Sequence, residues 1–153
     1  MQPTPRLKLV RVEHGMPFDE MMRRAEIART HPDLDPERMR SWGSEVRQIA
    51  VGIVRPRTRL WHRDLGKIQP DRMGFVDLWQ LLAYVATLRE FRPSWRFVGP
   101  GSRIRIGTHR HEAVPVVKIG EDGRRYLSLE PIRYGWTPGY AFPVQGDPRL
   151  IMP

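Results

Sequence analysis

Residues 6–12 alternate as Arg6-Leu7-Lys8-Leu9-Val10-Arg11-Val12, a period of two that predicts a strand with one wet face. Pro17 opens a different rhythm. Proline suits the first helical position, and Asp19 and Glu20 suit the positive end of a helix dipole. Phe18, Met21, Met22, Ala25 and Ala28 return near a 3.6-residue period, so the pattern predicts a helix over about 17–30. His31-Pro32 closes it, because the residue before proline is pushed out of the helical region.

Asp35-Pro36-Glu37 reads as a second helix start that leads into a short turn at Trp42-Gly43. Ser44 can cap a further helix over Val46, Ile49, Ala50 and Ile53. The run Ile49–Val54 also fits a buried strand, and periodicity over so short a stretch leaves both open. The clearest helix is expected at about 77–90, capped by Asp77, with Leu78, Leu81, Leu82, Val85 and Leu88 as its apolar stripe. Arg92-Pro93 would end it.

Beyond that helix the texture changes. Trp95–Val98, Arg103–Gly107, Ala113–Ile119, Arg124–Leu129 and Tyr140–Val144 are short alternating runs separated by Gly or Pro. Gly120-Glu121-Asp122-Gly123 lies between two of them and predicts a hairpin. Prolines at 131, 138, 143, 148 and 153 suggest an extended tail lying on a surface. The expectation is a small α+β domain over 1–130, followed by a Pro-rich extended tail over 131–153. Helices would occupy its first two thirds, with a winged-helix-like middle, and short antiparallel strands would follow towards the C-terminus.

Length and composition agree with one folded domain: 153 residues, of which 40% are hydrophobic and 28% charged. The chain has no cysteine, which excludes a disulfide framework, a thiol nucleophile and thiolate metal sites. No apolar run approaches the ~18 residues of a membrane span, and the first residues lack an apolar signal core. A cytoplasmic or other reducing compartment is therefore expected.

Charge changes the picture more. The net charge is +9, from 23 Arg and 3 Lys against 17 acidic residues. Codon bias accounts for arginine over lysine but not for the surplus itself. Residues 1–48 carry a net +1, residues 49–118 a net +8, and residues 119–153 none. A field concentrated in this way attracts polyanions and is the usual footprint of nucleic-acid contact.

Three clusters carry the surplus. In Arg103-Ile-Arg-Ile-Gly-Thr-His-Arg-His111, a strand would place Arg103 and Arg105 on one face and Ile104 and Ile106 on the other. His109, Arg110 and His111 follow in a loop behind Gly107. Guanidinium forks suit phosphate oxygens, and protonated histidine can donate to them; a solvated basic edge that deters aggregation has the same composition. The second cluster, Arg55, Arg57, Arg59, His62 and Arg63, surrounds Trp61, which suits either base stacking or plain packing. The third, Arg89, Arg92 and Arg96, flanks Phe91 and Trp95, where a helix dipole alone also favours cations.

His109-x-His111 is short of the third protein ligand that zinc requires, so no metal is expected. A phosphate loop, a dinucleotide fingerprint, a nucleophile elbow and HExxH are all missing from the sequence. The carboxylates Asp64, Asp71, Asp77 and Glu112 show no spacing that pairs them for acid–base work. Neither a catalytic residue nor a cofactor is expected from these patterns.

The stretch His62-Arg-Asp-Leu-Gly-Lys-Ile-Gln-Pro-Asp-Arg-Met-Gly-Phe-Val-Asp-Leu-Trp-Gln-Leu-Leu82, followed by Arg96-Phe97, Gly99–Ser102 and Ile104-Arg-Ile-Gly-Thr-His-Arg-His111, resembles in order the N-terminal lobe of the RNA 2′-phosphotransferase family. The resemblance spans about residues 44–111 and implies a winged-helix-like lobe that helps hold RNA. It would match His62 to the family's histidine and Arg105 to the arginine of its strand motif. Trp61 stands where the family has arginine, and the residues after His111 are too few for its NAD-binding lobe. The implication is a small RNA-facing module without the transferase reaction.

The sequence therefore leads to an expected non-catalytic nucleic-acid-binding module, RNA favoured, acting through Arg55, Arg57, Arg59, His62, Arg63, Arg92, Arg96, Arg103, Arg105, His109, Arg110 and His111. The alternative is an accessory subunit of a larger assembly (ribonucleoprotein, phage or organellar) whose Pro-rich tail packs on a partner.

Overall fold

Strand-forming alternation, much more than helical periodicity, organises the chain. A computed structural model describes residues 5–39 and 45–151. Nine strands form one mixed sheet: β1 (Lys8–Glu13), β2 (Ile27–Thr30), β3 (Val46–Val54), β4 (Met73–Phe75), β5 (Arg96–Val98), β6 (Ile104–Ile106), β7 (His111–Ile119), β8 (Arg125–Pro131) and β9 (Tyr140–Gly146). The α-helices are short: α1 (Phe18–Arg24), α2 (Pro36–Met39) and α3 (Leu78–Ala86). Segments of 3-10 helix cover His62–Ile68, Ile132–Tyr134 and Pro148–Leu150. Strand order is β1-β3-β9-β5-β7-β8-β2, with β4 also on β9 and β6 on β7. The β2–β8 and β5–β9 pairs are parallel and the others antiparallel.

Both faces of this sheet are covered, and strand alternation sorts the side chains between them. On one face α1 and α3 pack over Val10, Val12, Ile49, Val51, Phe97, Ala113, Val117 and Ala141. On the other, the 3-10 helix at His62–Ile68 lays Leu65 and Ile68 over Val98, Val114, Val116, Trp136 and Phe142. Adjacent residues of β5, β7 and β9 thus serve opposite cores. The expected start of α3 is met by a full capping box: the Asp77 side chain accepts from the Gln80 amide at 2.8 Å, and the Gln80 side chain accepts from the Asp77 amide at 3.0 Å. The helix ends at Ala86, however, short of the expected 90 and of Leu88.

Arg125 ties the helices to the sheet. Its guanidinium is buried and donates to the carbonyls of Ala25 (3.0 Å), Val85 (3.2 Å) and Leu88 (2.8 Å), at and just past the C-terminal ends of α1 and α3, where the Val85 carbonyl also accepts the Leu88 amide at 3.0 Å.

The expected distribution of helices is wrong. The fold is mostly sheet, with 22% of it helical, and not a helical first two thirds with strands behind. The helix expected over 17–30 stops at Arg24; Glu26 takes a left-handed φ of 58°, and Ile27–Thr30 pairs with β8 instead. Ile49–Val54 belongs to a strand, not to a helix capped by Ser44, because both its neighbours are strands: β1 on one side and β9 on the other. Ser44 and Trp42-Gly43 themselves lie outside the described residues. With β3, β4, β5 and β6 inside it, the middle of the chain is not winged-helix-like.

The proline-rich stretch is also not an extended surface tail. It supplies β9, which sits between β3 and β5 with Ala141, Phe142, Pro143 and Val144 all buried. Pro143 pairs across from Ile53. The Gly120–Gly123 hairpin forms as expected, joining β7 and β8 with Ile119 opposite Arg125 and a positive φ of 79° at Gly123. Among the described residues no helix is long and apolar enough to cross a membrane.

Candidate nucleic-acid interface

Arg103 and Arg105 flank Ile104, whose side chain joins the helix-covered core, so alternation turns both arginines to the opposite side of the sheet. The 3-10 helix His62–Ile68 and the segment 132–136 approach that side, held by paired backbone bonds between Leu60 and Trp136 (2.8 and 2.7 Å). Between them lies an open groove of about 790 Å³ lined by Trp61, His62, Arg63, Arg103, Ile132 and Arg133. Three guanidiniums line it and no carboxylate does. Glu112 lies 3.7 Å from Arg103, with both side chains about half exposed, a pairing that solvent leaves weak.

Each wall has its own support. Arg59 donates to the Tyr134 carbonyl at 2.6 Å while its guanidinium stands 5.4 Å from the Trp61 ring centre. Arg133 stacks 4.7 Å from the Tyr134 ring centre and lies 2.8 Å from Nε2 of His111. His62 accepts a hydrogen bond at Nδ1 from the Trp136 indole (3.3 Å), and its buried Nε2 has no partner among the described residues. Burial lowers the His62 pKa, Arg103 lowers it further, and Glu112 opposes them.

The fold splits the expected site. Arg59, His62, Arg63, Arg103 and His111 come together at or beside the groove. Arg55 and Arg92 do not: their guanidiniums stand 4.9 and 5.1 Å from Trp95, which packs on Phe97 of the helix-side core. Arg96 lies on the groove side of β5, where its guanidinium donates to the Tyr140 hydroxyl at 3.1 Å. Tyr140 in turn contacts Trp136, with ring centres 4.9 Å apart. Arg57, Arg105, His109 and Arg110 are exposed. The His109 ring centre is 5.9 Å from that of His111, in the turn where Arg110 takes a φ of 50°. Among the described residues no group of three metal-ligating side chains converges.

Arg133, Tyr134 and Trp136 belong to the site although the charge pattern did not point to them. They lie in residues 119–153, the segment with no net charge, and reach the groove because β8 pairs along β7, bringing Pro131 opposite Ala113. The only sequence signal was the pair Arg133-Tyr134 ahead of a Gly-Trp turn. Compared with protein-family models, with curated proteins and with solved structures, the chain matches none.

Proposed function

We propose that this protein is a non-catalytic nucleic-acid-binding module whose contact surface is the groove lined by Arg63, Arg103 and Arg133. The observation that carries the reading is the gathering of three guanidiniums from distant parts of the chain around one open groove with no carboxylate in its lining. Guanidiniums with at most one weak, solvent-exposed acidic partner attract phosphate, and their forked donors match its oxygens. Arg96 and Arg105, on the same side of the sheet, extend the positive field beyond the groove. The proline-rich segment that suggested docking on a larger assembly is built into the sheet as β9, which favours the groove over that alternative.

The test is fluorescence anisotropy with a labelled RNA 12-mer and its DNA counterpart, each titrated between about 50 and 200 mM salt. RNA is expected to bind, and more tightly than DNA. Three released counterions on a single strand give a log–log salt slope of roughly −2, and Arg63→Gln, Arg103→Gln and Arg133→Gln each reduce it by a little under one. No binding of either strand at the lowest salt overturns the proposal.

A further inference from the structure

Among the described residues, the exposed large hydrophobic side chains are Leu9, Val46, Trp61, Tyr134 and Ile151. Of the two aromatic ones, Trp61 at 46% exposure lines the arginine groove, and Tyr134 at 55% stands beside it with the groove residue Arg133 over its ring. They come from segments more than seventy residues apart and are joined by Arg59, which faces the Trp61 ring and donates to the carbonyl of Tyr134. Two large rings left exposed beside three guanidiniums give this groove apolar surface as well as positive charge. Trp95 is the contrast: it too has arginines at its ring, Arg55 and Arg92, but it is half buried on Phe97.

An unpaired base offers an apolar face to a ring of this kind, while its neighbouring phosphates need cations within one nucleotide's reach. Bases inside a duplex are already stacked and cannot take up the ring. We infer that the groove binds a single strand, with unpaired bases stacked on Trp61 and Tyr134 and the intervening phosphates held by Arg63, Arg103 and Arg133. This rests on the nucleic-acid reading of the groove and adds the class of strand. Because stacking accepts any base, the site discriminates by strandedness and not by sequence. Arg59 and Arg133 pre-position the two rings, so little side-chain freedom is lost on binding.

The experiment compares three labelled probes of equal length: a single-stranded RNA, the same strand in a perfect duplex, and an abasic phosphodiester strand. The single strand is expected to bind at least tenfold more tightly than either of the others. Trp61→Ala and Tyr134→Ala each reduce single-strand affinity roughly 5- to 150-fold, the range that corresponds to loss of one base stack, and leave duplex affinity unchanged. Trp61→Phe retains most of the binding, and circular dichroism of each variant checks that the fold is intact. Equal affinity for single strand and duplex, or for single strand and abasic strand, overturns this inference while leaving the charged groove as a phosphate site. Binding of none of the probes overturns the groove reading itself.

Discussion

The indole N–H of Trp136 donates to Nδ1 of His62 at 3.3 Å. An indole can only donate, so Nδ1 must be the acceptor, and neutral His62 carries its proton on Nε2. The bond joins the floor of the groove to a fully buried ring of the second core, since Trp136 packs against Phe142 with ring centres 5.6 Å apart. The groove is therefore built on the sheet and is not a surface loop.

One consequence is a pH dependence with a definite sign. Burial, reinforced by Arg103, lowers the His62 pKa from its ordinary 6.5. In the window between the lowered value and 6.5 the unfolded chain binds more protons than the folded one, so stability falls as pH drops through it. Chemical denaturation between about pH 7.5 and pH 5 should show this loss, and His62→Gln should remove its share of the slope. A His62 resonance that titrates above 6.5 in the folded protein would contradict the assignment.

Arg125 stabilises the junction of sheet and helices, not the groove. Replacing it with alanine removes the side-chain donor from the Ala25 and Leu88 carbonyls and the second donor from Val85, which keeps the Leu88 amide, at an expected cost of about 2–4 kcal/mol. Arg125→Lys recovers only part of this, because one ammonium cannot span three carbonyls. Urea unfolding measures both, and strand binding by the folded fraction should be unchanged.

Gly135 has a φ of 71° and a ψ of −174°, backbone that only glycine adopts without strain. A Cβ there would stand 3.0 Å from the Leu60 carbonyl oxygen and 3.1 Å from the Trp61 ring. Gly135→Ala is expected to cost about 1–3 kcal/mol in thermal unfolding and, by displacing Trp61, to weaken single-strand binding as well. A variant that binds normally would show that the ring is not held from this side.

Removal of β9 tests the architecture directly. A chain ending at residue 138 loses the strand between β3 and β5, and with it Phe142 and Val144. It should fail to give a cooperative unfolding transition. In the full-length chain Phe142→Ala should cost about 3–5 kcal/mol. A truncated chain with native-like near-UV dichroism would mean that the final strand is dispensable.

Local signals were readable wherever one element settles its own conformation. Asp77 with Gln80 marks the start of α3, and Gly120–Gly123 marks the β7–β8 turn, because capping and tight turns involve residues a few positions apart. The helical stripe of 17–30 misled for the converse reason: Ile27–Thr30 gains more from pairing with β8, about a hundred residues away, than from one more helical turn. At the site, Arg63 and Arg103 were legible as basic clusters. Arg133 and Tyr134 were not, because their own neighbourhood is electrically neutral.

By itself the sequence determined the Asp77 cap of α3, the hairpin, most of the short strands and the concentration of positive charge in residues 49–118. Each of these depends on periodicity, turn chemistry or a count of charges, all local quantities. Tertiary structure decided that the proline-rich end is a central strand, that Arg55 and Arg92 turn to Trp95 on the other side, and that Arg133 joins Arg63 and Arg103. Those outcomes depend on which strands pair, and pairing is governed by the burial of both sheet faces at once, a condition that no single segment can meet alone.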